Sequence, residues 1–284
     1  MASLWTLLAL GMDKAQLKAL LAKFDVTPNK GLGQHFLHDE SVISDMLEAA
    51  EVNSADTVLE VGPGLGVLTS ALVQRAGQVI VYELDEKLAA LIESQRAENL
   101  MVVRGDALEL PLPPRGTPLP YKVVANIPYS ITGALIRRLI TSPSGPSSIT
   151  LLVQKEVAER MCAKPGQMSV LSVAVQLHGA AKIVRLVPPE CFWPAPKVDS
   201  AVVHVDLSGG LTLNVDERDF MRLVKFGFAQ KRKQLKNTLA AGLRIEPATV
   251  EARLLELGLP ATVRAQELSL ESWKQLYDTY VLST

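Results

Sequence analysis

Short runs of β-branched residues alternate with helical stretches as far as about residue 205, and this alternation constrains the fold more than any other feature. Such alternation is typical of a parallel sheet covered by helices. The seven expected strands lie at residues 57–62, 79–84, 101–105, 121–126, 149–154, 170–177 and 201–207. We therefore predict a doubly wound, mostly parallel, seven-stranded α/β sheet.

The pattern changes at residues 208–211, where "SGGL" is followed by helical sequence to the end of the chain. A chain of 284 residues with 48% hydrophobic content can bury one large core and a smaller second one. We predict an α/β domain at residues 1–210 and a small all-helical domain at 211–284.

Composition limits the classes to which the protein can belong. Cys162 and Cys191 are the only cysteines, neither lies in a CxxC motif, and the histidines complete no metal-ligand set with them. The apolar segment 3–12 is too short to span a membrane and predicts a short helix. The net charge of −1 means that a nucleic-acid partner would need a local basic patch. We expect a cytoplasmic protein without a metal or a membrane partner.

A glycine-rich turn follows the first expected strand and contains Gly62, Gly64 and Gly66. Glycine in such a turn lets the backbone approach a ligand closely. A dinucleotide-binding fingerprint would place its third glycine where this chain has Val67, and the Gly-Lys-Ser/Thr ending of a P-loop is absent. The turn is therefore a candidate nucleoside site.

The charges around this turn favour a cationic ligand. Arg75 is the only basic residue between positions 61 and 86, so a polyphosphate would be poorly bound there. Glu83 ends the second strand, where it can accept from ribose hydroxyls, and Asp106 follows the third, where it can accept from an adenine amine. S-adenosylmethionine, with its sulfonium and ammonium groups, fits this pattern. The alternative is that both acids are ordinary loop and cap residues.

Four motifs in the chain resemble those of the ribosomal RNA adenine dimethyltransferases. They are "GLGQHFLHD" at 31–39, "EVGPGLGVLT" at 60–69, "ANIPYS" at 125–130 and "FWPAPKVDSAVV" at 192–203. The resemblance covers most of the chain. It implies a Rossmann-like class I S-adenosylmethionine-dependent methyltransferase domain followed by a helical RNA-binding domain.

The resemblance also implies which residues hold the methyl donor. These are Gln34, His35, Leu37, Gly62, Gly64, Glu83, Leu84, Asp106, Ala107 and Asn126. The chain departs from the family at His35, where asparagine is common.

The stretch that ends the fourth strand can activate an adenine amine, whose lone pair is delocalised into the ring. The Asn126 side-chain oxygen and the Ile127 carbonyl can accept from the two amine hydrogens. Pro128 favours an extended Ile127 and so helps to aim that carbonyl. Tyr129 offers a stacking face for an extracted base, and the resemblance makes Phe192 the opposite face.

Two features near this motif remain open on sequence alone. The neighbours Phe192 and Trp193 are both candidates for the second stacking ring, although the family position favours Phe192. Arg137 and Arg138 follow the motif on an expected helix, where they could contact phosphate or form a solvated helix face.

The local basic patch is "MRLVKFGFAQKRKQLK" at 221–236, which contains six basic residues and no acidic one. On one continuous helix its basic side chains would form a stripe, unless Gly227 interrupts it. The residues predicted to contact RNA are Lys225, Arg232, Lys233 and Lys236. The alternative is a solvated helix face.

The resemblance implies dimethylation of two adjacent adenines in a loop near the 3′ end of 16S ribosomal RNA. The expected partner is small-subunit RNA or a pre-ribosomal particle, bound by a monomer in the course of ribosome biogenesis. One alternative is the related group that methylates large-subunit RNA and confers macrolide resistance. Another is a non-catalytic RNA-binding assembly factor, against which the intact "NIPY" sequence argues.

Overall fold

The computed structural model describes residues 14–28 and 34–280. Within them the α-helices are α1 (Lys14–Lys23), α2 (Glu40–Ala49), α3 (Val67–Arg75), α4 (Glu86–Glu93), α5 (Thr132–Ile140), α6 (Lys155–Met161), α7 (Val170–His178), α8 (Glu217–Gly227), α9 (Leu235–Leu243), α10 (Pro247–Glu256) and α11 (Leu270–Tyr280). The segment 3–12, expected to be helical, lies outside these residues. None of the helices at 14–28 and 34–280 is long and apolar enough to cross a membrane.

The strands of the same residues form a seven-stranded sheet and a separate two-stranded pair. They are β1 (Phe36–Leu37), β2 (Thr57–Val61), β3 (Gln78–Glu83), β4 (Leu100–Arg104), β5 (Tyr121–Asn126), β6 (Ser148–Gln154), β7 (Ala180–Val187), β8 (Phe192–Trp193) and β9 (Ser200–Asp206). The large sheet has the order β4-β3-β2-β5-β6-β9-β7, and β1 pairs with β8.

The strand order of the large sheet defines where a ligand can bind. β2 pairs in parallel with both β3 and β5, and β5 pairs in parallel with β6, whereas β9 runs antiparallel to β6. The chain proceeds from β2 outward to β4 and then returns to the other side of β2 with β5. Ligands of doubly wound sheets bind beyond the carboxyl ends of the strands at such a reversal. The predicted doubly wound sheet is confirmed.

Local sequence explains the elements beside this reversal. β2 and β6 are almost entirely buried runs, as expected for central strands covered on both faces. The Asp85 carboxylate caps α4 by accepting from the amides of Lys87 and Leu88.

One predicted strand is wrong. Residues 170–177 form helix α7, and the missing strand is β7, which starts at Ala180. Ser169 begins the helix by accepting from the Ser172 amide, while the Ser172 hydroxyl accepts from the Ser169 amide. This reciprocal cap and the burial of several side chains outweigh the β-branched composition of the run.

The chain divides into two compact units. Of the described residues, one unit contains those up to Ala158 and Ala181–Ser208, and the other contains Glu159–Ala180 and those from Gly209 to Tyr280. The predicted single boundary after residue 210 therefore misses the excursion at 159–180. Val173 and Leu177 explain it, because both lie in the apolar core of the mainly helical second unit.

Candidate active site

The glycine-rich turn after β2 has a conformation that other residues would strain. Gly62, Gly64 and Gly66 have φ angles of 72°, 58° and 84°. A Cβ on Gly62 would lie 3.2 Å from Cδ of Pro128, and one on Gly64 would lie 3.0 Å from Cε1 of Phe36. The turn is thus closely packed by the motif after β5 and by β1, which brings three of the sequence motifs together.

One cavity at this end of the sheet collects most of the predicted site residues. Those that line it are Gln34, His35, Leu37, Gly62, Gly64, Glu83, Asn126, Ile127, Pro128 and Tyr129. The predicted residues Leu84, Asp106, Ala107 and Phe192 do not line it. Glu60, which sequence reasoning did not single out, does.

Glu83 is held by backbone donors at the end of β3. Its Oε2 accepts from the Gly64 amide at 3.2 Å, and its Oε1 accepts from the Asp85 amide at 2.9 Å. The side chain is buried, and burial raises the pKa of Glu83. No lysine or arginine at positions 14–28 or 34–280 forms an ion pair with it, so its charge remains uncompensated by a cation.

Glu60 is a second buried carboxyl group of this cavity. It lies in β2 and is 1% exposed. Its Oε2 accepts from the Thr69 hydroxyl at 2.7 Å. Burial, reinforced by the nearby Glu83, raises the pKa of Glu60 to about 8. The signal that could have found it is its position two residues before Gly62, on the strand that leads into the turn.

Asn126 ends β5 with its amide group oriented by the backbone. Its Nδ2 donates to the His35 carbonyl at 3.2 Å, which leaves Oδ1 as the acceptor of the amide. The His35 ring is fixed in turn, because its Nδ1 lies 2.6 Å from the Pro194 carbonyl oxygen. Since a carbonyl only accepts, Nδ1 carries a proton.

Tyr129 is half-buried beside this histidine. The two ring centroids are 5.3 Å apart with an interplanar angle of 32°. The Tyr129 hydroxyl lies 2.6 Å from the Ser200 hydroxyl, and burial raises the pKa of the phenol. The ring is therefore held at one edge of the cavity by contacts at both ends.

The N-terminal motif and the proline-rich loop form one substructure. β1 pairs antiparallel with β8, with Phe36 opposite Trp193 and Leu37 opposite Phe192. The His38 amide extends this pairing by donating to the Cys191 carbonyl at 3.0 Å. No local pattern predicts this pairing, because the two motifs are far apart in sequence.

The same pairing determines where the two candidate aromatic rings lie. Phe192 is 1% exposed and belongs to the apolar core, so the structure does not bring its ring into the cavity. Side chains alternate along a strand, and Trp193 is partly exposed, with Nζ of Lys18 5.6 Å from its ring centroid. The expectation that Phe192 faces a base is therefore not met in this arrangement.

The remaining residues predicted to hold the methyl donor lie at the neighbouring strand ends. Asp106 follows β4, and its Oδ1 accepts from the Leu108 amide at 2.7 Å. Leu84 is 54% exposed, whereas Ala107 is buried. The Gly105 amide donates to the Glu83 carbonyl at 2.8 Å, which joins the loop after β4 to the end of β3.

The basic segment is not one helix. α8 ends at Gly227, and α9 begins only at Leu235. A Cβ on Gly227 would lie 2.3 Å from Cη2 of Trp273, so the glycine permits close packing at the point where the helix ends. Of the two possibilities left open by the sequence, the structure has the one in which the helix is interrupted at Gly227, so the basic side chains do not form a continuous helical stripe.

The basic side chains also differ in their partners. Lys236 pairs with Glu251 at 2.6 Å and is mostly covered. Lys225, Arg232 and Lys233 are exposed, and none of them forms an ion pair with an acid in the described parts of the chain. The patch available to a polyanion is therefore smaller than the sequence suggested.

The doubly wound sheet, with a cavity lined by Glu60 and Glu83 at its reversal point, has the architecture of a class I methyltransferase fold. The chain belongs to the ribosomal RNA adenine dimethylase family, whose model matches residues 26–281. This confirms the resemblance carried by the four motifs.

Individual relatives agree with this assignment. Ribosomal RNA small subunit methyltransferase A of Dehalococcoides mccartyi is 43% identical over 94% of this chain and 93% of its own length. Among solved structures, a dimethyladenosine transferase from Plasmodium falciparum has a TM-score of 0.74 and 26% identity, covering 87% of this chain and 98% of that one. The 23S rRNA methyltransferase ErmE has a TM-score of 0.70 and 29% identity, covering 86% and 99%.

Proposed function

We propose that this protein transfers methyl groups from S-adenosylmethionine to the exocyclic amines of two adjacent adenines in small-subunit 16S ribosomal RNA. The observation that carries the proposal is the single cavity shared by the glycine-rich turn, Glu83 and the Asn126–Tyr129 motif. Donor and acceptor sites must adjoin for a direct transfer, and one cavity meets that requirement.

The chemistry of the cavity suits the proposed donor. Glu60 and Glu83 supply carboxyl groups, and the close-packed turn lets backbone approach a nucleoside. When bound, the donor supplies an electrophilic methyl group on a positively charged sulfur. Glu83 would accept from ribose hydroxyls, Asp106 from the adenine amine, and Gln34, His35 and Leu37 would contact the donor from the N-terminal motif.

The acceptor amine would meet two oxygen atoms. Asn126 keeps Oδ1 as an acceptor because its Nδ2 is already bonded to a backbone carbonyl. The Ile127 carbonyl, aimed by Pro128, is the second acceptor. The amine nitrogen becomes pyramidal as its bond to the methyl carbon forms. Oxygens that favour this geometry therefore stabilise the transition state more than the ground state, as catalysis requires. Tyr129 would stack on the target base.

The preference for the small subunit rests on relatives. The curated relatives that share 38–43% identity with this chain carry the name ribosomal RNA small subunit methyltransferase A. The ErmE structure shares 29%. We therefore favour a small-subunit substrate over the large-subunit alternative.

RNA would be held mainly through its backbone by the exposed residues Lys225, Arg232 and Lys233 of the second unit. Lys236 would contribute less, because Glu251 already neutralises it. We further propose a monomer that acts in the cytoplasm on RNA or a pre-ribosomal particle during ribosome biogenesis.

Methylation of separated ribosomal subunits tests the proposal. The protein is incubated with labelled donor and either subunit, stripped of existing methylation, and the modified nucleotides are mapped. We expect label on two adjacent adenines near the 3′ end of the small-subunit RNA. Label confined to large-subunit RNA would favour the macrolide-resistance type of activity. No label on either subunit would favour a non-catalytic assembly factor.

A further inference from the structure

The loop after β4, residues 105–111, is held by a side chain from the helix that follows the catalytic motif. Arg138 lies on α5, where its Nη1 donates to the Leu108 carbonyl and its Nη2 donates to the Leu110 carbonyl. A guanidinium group suits this task because its planar fork presents two fixed donors. Arg138 is partly buried and engaged in these bonds, so it is not a free phosphate contact.

The carbonyls held by Arg138 belong to the residues that surround Asp106. The Leu108 amide donates to Oδ1 of Asp106 at 2.7 Å, and the Leu110 amide donates to the Asp106 carbonyl at 3.0 Å. Arg138 therefore bonds to carbonyl groups of the same turn whose Leu108 amide orients the Asp106 carboxylate. Since Oδ1 is used within the turn, Oδ2 is the oxygen left to meet a ligand.

A second tether acts further along the same loop. The Tyr82 hydroxyl, from β3, donates to the Pro111 carbonyl. With this tether in place, loss of Arg138 would loosen the turn around Asp106 without releasing the whole loop. The effect should therefore concern the direction of one carboxylate rather than the fold of the sheet.

We propose that Arg138 is a positioning residue that fixes Asp106 for recognition of the donor's adenine ring. Because Arg138 lies on α5, the preference of the donor site for adenine over other purines would depend on the helix that follows Asn126–Tyr129. This inference rests on the proposed function, since it takes the cavity and the adjoining loop as the donor site. The same helix offers a matched comparison, because Arg137 is its exposed neighbour.

The test compares two product analogues that differ at the base. S-adenosylhomocysteine presents a 6-amino group to Asp106, whereas S-inosylhomocysteine presents a 6-oxo group that cannot donate. Their Kd values are measured by calorimetry on the full chain for the wild type, Arg138→Ala, Arg138→Lys and Arg137→Ala. We expect the wild type and Arg137→Ala to prefer the adenosyl compound by about tenfold or more.

In Arg138→Ala this preference should fall to about two- or threefold, with an intermediate ratio for Arg138→Lys, whose single ammonium cannot reproduce the fork. If Arg138→Ala does not fold, the ratio for Arg138→Lys decides. If the Arg138 variants keep the wild-type ratio of the two Kd values, the proposal is overturned. This holds even if both ligands bind more weakly, because an equal loss for both would mean that Arg138 has a purely structural role. A wild-type protein that binds neither ligand, or both equally, would instead refute the donor site itself.

Discussion

Removal of the Glu83 charge is the perturbation with the most definite expected effect on donor binding. Glu83→Gln keeps the size and shape of the side chain and replaces one carboxylate oxygen by an amide nitrogen. In the native cavity each oxygen accepts one backbone amide, from Gly64 at 3.2 Å and from Asp85 at 2.9 Å. The variant can satisfy one of them with its remaining oxygen.

The expected magnitude follows from these contacts. A hydrogen bond to a charged acceptor contributes about 1.5–3 kcal/mol, so loss of the ribose contact should raise the donor Kd by about one to two decades. Stability should change much less. The lost hydrogen bond to a backbone amide costs about 1 kcal/mol. This loss is offset because the variant no longer buries a charge, and the raised pKa of Glu83 shows that burying this charge is unfavourable.

The assay is calorimetric titration of donor into the wild type, Glu83→Gln and Glu86→Gln. The control variant removes the same charge from an exposed side chain at the start of α4. We expect its Kd to stay within about twofold of the wild type, since exposed charges are screened over short distances. Thermal unfolding verifies that each variant is folded. Unchanged donor affinity in folded Glu83→Gln would refute the assignment of Glu83 to the donor.

Two further predictions concern a buried acid and the basic surface. Because the pKa of Glu60 is about 8 in the folded protein and near 4.5 when unfolded, the free energy of unfolding should fall as the pH rises from about 5 to 8. Glu60→Gln should reduce this decline by at least about 1 kcal/mol in donor-free thermal unfolding, and an unaltered decline would contradict the raised pKa. Charge reversal of Lys225, Arg232 and Lys233 to glutamate should weaken RNA binding and flatten its salt dependence by about 0.7–0.9 in log–log slope per lost contact. RNA titrations across a salt series measure this slope. An unchanged slope would make these side chains a solvated face.

The parts of the fold that were predictable from the sequence are those with local signals. Gly62 and Gly64 stand directly after a buried strand, and Asn126 stands at the end of another, so parallel pairing alone brings them to one edge of the sheet. The strand at 170–177 was mistaken because its composition favours a strand, whereas the serine cap at Ser169 and tertiary burial favour a helix.

The parts that could not be predicted depend on contacts between distant residues. The pairing of Leu37 with Phe192 buries an aromatic ring that its motif suggested would be exposed. Arg138 donates to carbonyls of a loop that lies 30 and 28 residues earlier, which no helical pattern indicates. Gly227, which is closely packed by Trp273, is the last residue of a helix that ends within a run of basic residues.

The most direct test of the account is the single-turnover methylation rate of Asn126→Ala on small-subunit RNA, with RNA and donor saturating. At saturation the rate does not depend on donor affinity, so a lower rate reports the effect of Asn126 Oδ1 on the amine and not a weaker binding of the donor. Asn214→Ala, an exposed asparagine before α8, serves as the matched control. We expect a rate about two to three decades lower for Asn126→Ala and an unchanged rate for the control. An Asn126→Ala rate within a factor of about two of the wild type would contradict it, because the amide oxygen would then have no part in stabilising the transition state.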